Sequence, residues 1–132
     1  MPVSSTQPAS PYVVVLGIAQ DAGHPQAGCR KECCLAAWAD PSLGHLVACL
    51  GIVDPRSGQR WIIDASPDLS SQLHALAALE PIEAGAPGLD GIFLTHAHTG
   101  HYTGLVHLGR EVMGNKATKV YALPRTQKFL TE

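Results

Sequence analysis

With 132 residues, of which 45% are apolar and 15% charged, the chain has room for one globular core and lacks the charge-rich, apolar-poor balance of a disordered polypeptide. A formal charge of -2, with basic residues scattered singly, excludes the electrostatic footprint of a nucleic-acid binder. No apolar run approaches the roughly 20 residues that a membrane-spanning helix needs, so the expected partner is neither nucleic acid nor membrane.

Residues 1–11 hold three Ser, one Thr and three Pro and no Lys or Arg; they lack a secretory basic region and read as a flexible leader. Residues 12–17 carry Val13, Val14 and Val15 and end on Gly17, as a buried strand does. The stretch 18–28, punctuated by Gly23, Pro25 and Gly28, is a loop, and 35–38 is a short helix that Pro41 helps to end. Residues 46–53 and 61–64 are β-prone segments either side of the polar turn 54–58, a hairpin signal. Ser66 as N-cap and Pro67 at the first helical position open a helix whose apolar positions are Leu69, Leu73, Leu76, Ala77 and Leu79, and Pro81 stops it. After the connector 83–88, residues 91–95 form a strand, 102–113 a helix closed by Gly114 and Asn115, 118–123 a last strand, and 124–130 the opening of another helix. The order of elements predicts a mixed α/β layer structure, α+β by some schemes.

The chemistry concentrates in Thr95-His96-Ala97-His98-Thr99-Gly100-His101. Two His separated by one residue at a strand end project to one face, and His101, a few residues on, can reach the same pocket from across the turn. Imidazoles so placed suit zinc or iron. A lone His carries little information, but three within six residues directly after a buried-type strand point to a metal site.

This segment resembles the His-x-His-x-Asp-His motif of the metallo-β-lactamase superfamily. The resemblance implies an αββα sandwich of two similar halves, of which residues 12–132 supply the N-terminal half, with the C-terminal half and its further ligands absent. It implies that His96 and His98 bind one metal and His101 a second, with Gly100 at the usual Asp position and the second site weakened accordingly. Asp64, ending the strand Trp61-Ile62-Ile63, would orient a ligand imidazole without binding metal itself; capping the following turn is its alternative role. The implied activity is hydrolysis of an ester, amide or phosphodiester by a metal-activated water, with Zn(II) as cofactor and a small molecule as substrate.

A second cluster, Cys29, Cys33 and Cys34, can converge on one structural zinc, with His24 as a candidate fourth ligand. Its crowding is unlike a disulfide framework and suits a reducing compartment, so cytoplasm is expected. The loop is similar to that of the pyrroloquinoline quinone biosynthesis protein B branch, which implies an alternative to hydrolysis: a non-hydrolytic metalloprotein, either an Fe(II) oxygenase or a carrier. A homodimer is left open. Gln20, Asp21 and His24 lie on the loop that rims the active site in this fold, with a solvated loop as the alternative. Cys49 reads as a small buried thiol, His45, His74 and His107 as packing or surface residues, and Trp38 and Trp61 as core or interface aromatics.

Overall fold

The structure, a computed structural model, describes residues 10–132; the leader expected over 1–11 lies outside them except for its last two residues. Three antiparallel strands, β1 (Tyr12–Gly17), β2 (Cys49–Asp54) and β3 (Gln59–Ile63), are extended in parallel by β4 (Gly91–Phe93) and β5 (Lys119–Tyr121), in the spatial order β1-β2-β3-β4-β5. The helices are α1 (Glu32–Ala39), α2 (Leu69–Leu79), the single turn α3 (Thr99–Tyr102) and α4 (Pro124–Thr131). Among the described residues no helix is long and apolar enough to cross a membrane.

Alternation along the strands sorts side chains between two faces. Leu16, Cys49, Val53, Ile62 and Ile92 turn inward, where α2 lays its buried stripe of Leu69, Gln72 and Leu76 across them. On the other face, the register sets Val15, Leu50, Ile63, Phe93 and Tyr121 in one row and Val13, Ile52 and Trp61 in the next, with Phe93 and Tyr121 stacked at 4.8 Å between ring centroids. No element of the described residues covers this second face, and Val13 and Val15 are 62% and 61% exposed. The strands are apolar on both sides, as in a sheet sandwiched between layers.

The start of α2 is held by a buried polar chain. Ser66 Oγ accepts from the Asp68 N–H (3.0 Å) and donates to Gln72 Oε1 (2.6 Å), while Gln72 Nε2 donates to the Val47 carbonyl (2.7 Å) and Asp68 Oδ2 accepts from the Val47 N–H (2.8 Å). The helix therefore begins at Leu69 with Asp68 at the cap position, two residues later than Ser66 predicts. Its other end meets β3, where the buried Arg60 donates to the carbonyls of Glu80 and Pro81.

The helix predicted over 102–113 does not form. A 3-10 segment, Thr103–Leu108, takes its place, followed by turns. Gly104 explains the difference: its N–H donates to the Ala65 carbonyl at 2.9 Å, and a Cβ there would lie 2.2 Å from the Ser66 carbonyl oxygen. The backbone bonds needed for an α-helix are used to dock this segment against the end of β3. Trp38 is 60% exposed rather than in the core, and Trp61 is half-buried on the outer sheet face.

Candidate metal centre

Two parallel strand ends set up the histidine loop. The Asp64 N–H continues the ladder beyond β3 by donating to the Phe93 carbonyl (2.7 Å), and Asp64 then takes φ 67°, a left-handed conformation that Asp tolerates better than most residues. That turn aims its buried carboxylate sideways rather than along its own chain. Oδ1 accepts from the Thr95 N–H (2.8 Å), the Thr95 hydroxyl lies 2.8–2.9 Å from both carboxylate oxygens, and Oδ2 is 2.7 Å from His101 Nδ1. Asp64 thus grips both ends of the loop, and among the described residues its carboxylate is engaged with Thr95 and His101 rather than with the turn that follows it.

These bonds dictate tautomers. The Thr95 hydroxyl gives its one hydrogen to Asp64, so His96 Nδ1, 2.8 Å from Thr95 Oγ1, must be a donor and leaves its Nε2 lone pair free. By the same logic His101 carries hydrogen on Nδ1, and its Nε2 points away from Asp64, toward Asp21 Oδ1 at 2.9 Å. A neutral Nε2 and a carboxylate oxygen facing each other repel unless a cation, a proton or a metal, lies between them. Burial alone pulls the His101 pKa down, but the hydrogen bonds and charges of Asp64 and Asp21 outweigh it and hold it above the usual imidazole value. The donor chemistry fits a metal ion.

The three rings lie side by side, His96 4.7 Å from His98 and 4.1 Å from His101 between centroids, while among the described residues their nitrogens form no set of three within 4.8 Å of one another. His98 is the outermost, its side chain 74% exposed, with Nδ1 3.9 Å from Asp21 Oδ2. Beside His96 and His98 an open groove of about 490 Å³ is bounded by Arg125, Thr126 and Phe129 of α4. Sequence reasoning passed over Arg125, because a single Arg after a proline has no motif to mark it.

The second cluster closes more tightly and with a different membership. His24, Cys33 and Cys34 bring donor atoms within 4.8 Å of one another, the only such set of three among the described residues, and Cys29 is not part of it. His24 Nε2 is 3.2 Å from the Cys33 carbonyl, so that nitrogen is the donor and Nδ1 carries the lone pair. Nδ1 is buried and has no hydrogen-bond partner, which is what a metal-bound nitrogen looks like without its ion. The His24 ring stacks on His45 at 5.7 Å, which gives His45 a packing role, and Cys34 Sγ accepts from the Gln26 N–H.

The cysteines should separate by reactivity. Cys33 is exposed, whereas Cys49 is buried and its thiol is pushed up to about 12 by burial and by the Asp64 charge. Only about one Cys49 in 10⁴ is then a thiolate at pH 8, so iodoacetamide on the native, metal-free chain is expected to modify Cys33 and spare Cys49. Peptide mapping by mass spectrometry checks this, and zinc should protect Cys33; equal labelling of Cys33 and Cys49 would contradict the burial argument.

Comparison with known proteins places this arrangement. Residues 59–132 match the family described as the beta-lactamase superfamily domain. Coenzyme PQQ synthesis protein B of Methylorubrum populi is 36% identical over 101 residues, covering 74% of this chain and 33% of that protein. The protein of the same name from Xanthomonas axonopodis pv. citri is 32% identical over 99 residues, 73% of this chain and 33% of its own length. The chain therefore spans about a third of the length of the curated relatives it matches. Among solved structures, Zn(2+)-bound PqqB from Methylobacterium extorquens superposes with a TM-score of 0.75 at 28% identity, over 90% of this chain and 39% of that one. A diphosphatase from the PhnP family superposes with a TM-score of 0.63 at 27% identity, over 91% and 44%. Matched along more than half its length by the family and sharing the fold of both structures, the chain belongs to the metallo-β-lactamase superfamily.

Proposed function

We propose that the chain carries the metal-binding part of a small-molecule hydrolase site, in which His96, His98 and His101 are the metal donors and a phosphodiester is the favoured substrate class, ahead of other esters and amides. The observation that carries this reading is the brace of Asp64 on Thr95 and His101, which fixes the tautomers of His96 and His101 so that each keeps its Nε2 for a ligand. Zn(II) held by His96, His98 and His101 would supply a water with a pKa of about 7 and a Lewis acid for the oxygen of a scissile bond. The chain's own part is to orient those imidazoles and to receive substrate in the groove beside them. There the Arg125 guanidinium suits an anionic phosphoryl group and Phe129 an apolar substituent. The likeness to a PhnP-family diphosphatase supports phosphoryl chemistry more broadly. A structural zinc held by His24, Cys33 and Cys34 is the second part of the reading, supported by the orphaned His24 Nδ1.

Turnover of bis(p-nitrophenyl) phosphate by the zinc-loaded chain tests the proposal. His96→Ala is expected to bring the rate to background while zinc at the cysteine cluster stays bound. Absence of any metal at the histidine loop with all three His intact would sink it. The relatives named coenzyme PQQ synthesis protein B favour a second reading, a part in that synthesis, for which we propose a non-hydrolytic Fe(II) oxygenase or carrier. Oxygen uptake supported by iron and not by zinc, with no diester hydrolysis, would select it.

A further inference from the structure

The superfamily motif has a carboxylate where this chain has Gly100, and Gly100 is buried. A Cβ at position 100 would lie 2.5 Å from the Asp21 Cα and 3.0 Å from both its Cβ and Oδ1. The room that an aspartate side chain at position 100 would need is filled by the backbone and carboxylate of Asp21, which arrives from the loop after β1. We infer that Asp21 is the metal-binding carboxylate of this site, supplied from the other side of the pocket in place of the residue missing at position 100.

Three further observations carry this. Asp21 Oδ1 is 2.9 Å from His101 Nε2, and Oδ2 is 3.9 Å from His98 Nδ1, so the carboxylate spans two of the three imidazoles. Bonds of 2.0–2.2 Å to one ion place neighbouring donors about 2.9 to 3.5 Å apart, the range in which the His101 pair already stands. The segment that presents Asp21 is also built: Gly23 N–H donates to the Gln20 carbonyl (2.8 Å), Ala22 N–H to Gln20 Oε1 (3.0 Å), and Ala48 N–H to the Ala19 carbonyl (2.9 Å). A tight turn anchored to the chain just before β2 therefore fixes the carboxylate, as a ligand requires.

The sterics make the two solutions mutually exclusive, since a carboxylate from position 100 and one from position 21 cannot share the pocket. Removal of the Asp21 carboxylate tests the assignment, which rests on the reading of His96, His98 and His101 as a metal loop. Co(II) is titrated into the whole chain, and two signals are followed: the near-ultraviolet thiolate charge-transfer band of the cysteine cluster and the visible d–d bands of a site without sulfur. The wild type is expected to fill both. Asp21→Asn should weaken the sulfur-free site at least about tenfold and leave the thiolate band unchanged. Asp21→Ala, which removes the carboxylate altogether, should weaken it at least as far.

Equal Co(II) affinity in Asp21→Asn and wild type would overturn the inference and leave the metal-loop reading standing. An Asp21→Ala chain with its thiolate band intact and wild-type affinity at the sulfur-free site would overturn it in the same way. A wild type that fills only the thiolate site would overturn both.

Discussion

Asp64→Asn is expected to bind metal at the histidine loop about 10- to 100-fold more weakly than the wild type, and Asp64→Ala to lose fold stability as well. Asn tolerates the φ of 67° at this position, so the backbone turn survives. Its amide, however, offers one acceptor oxygen and one NH₂ group to partners that are all donors: the Thr95 N–H, the Thr95 hydroxyl and His101 Nδ1. One donor must then face another, and His101 is released from the tautomer that presents Nε2. Ala removes all the acceptors, leaves the Thr95 N–H short of a partner and lacks the short polar side chain that lets Asp tolerate left-handed backbone. Those losses together cost about 3 kcal/mol or more. Competition with a metal-sensitive dye and urea unfolding of the metal-free proteins separate the two effects. An Asp64→Asn chain that holds metal as tightly as the wild type would show that His101 needs no orienting partner.

Gln72→Leu is the larger test of the fold. Its side chain is completely buried and is one of two links, with Asp68, between the start of α2 and the segment before β2, so the apolar replacement leaves the Val47 carbonyl without its donor and the Ser66 hydroxyl without its acceptor. Two stranded buried groups cost about 2 to 5 kcal/mol, a large share of the stability of a domain this size. Adding Ser66→Ala removes one stranded group and should return part of the loss, about 1 kcal/mol, even though it deletes the acceptor for the Asp68 N–H. Denaturant midpoints of the two single variants and the double variant measure the coupling, and strict additivity would show that the polar chain is not a unit. Val47 also bridges to Ala19 next to the Asp21 turn, so Gln72→Leu should loosen Co(II) at the histidine loop in variants that remain folded.

The first strand was legible in its β-branched run of Val13, Val14 and Val15, and α2 because burial imposes a helical period along Leu69–Leu79. The sandwich fold and the histidine loop were legible too, since adjacent residues carry their motif. What failed to show was whatever depends on contacts between distant segments. Residues 102–113 have helix-compatible composition, but Gly104 docks on Ala65 and the local preference yields. His24 joins Cys33 and Cys34 because an antiparallel bridge to His45 folds its loop back over the start of α1, while Cys29, closer in sequence to Cys33, stays outside the group. Asp21 reaches His101 across 80 positions, and no spacing rule operates over such a distance.

The uncovered sheet face has a thermal consequence. In the sandwich that the superfamily fold implies, the rows of Val15, Leu50, Ile63, Phe93 and Tyr121 and of Val13, Ile52 and Trp61 would meet a facing layer through almost wholly apolar side chains. Closing such a contact carries a negative heat-capacity change, so its strength is not a fixed quantity but a curve. The grip between the layers slackens on chilling, and a calorimetric trace of their union would slope downward with temperature, at a gradient set by how much of this face is withdrawn from water.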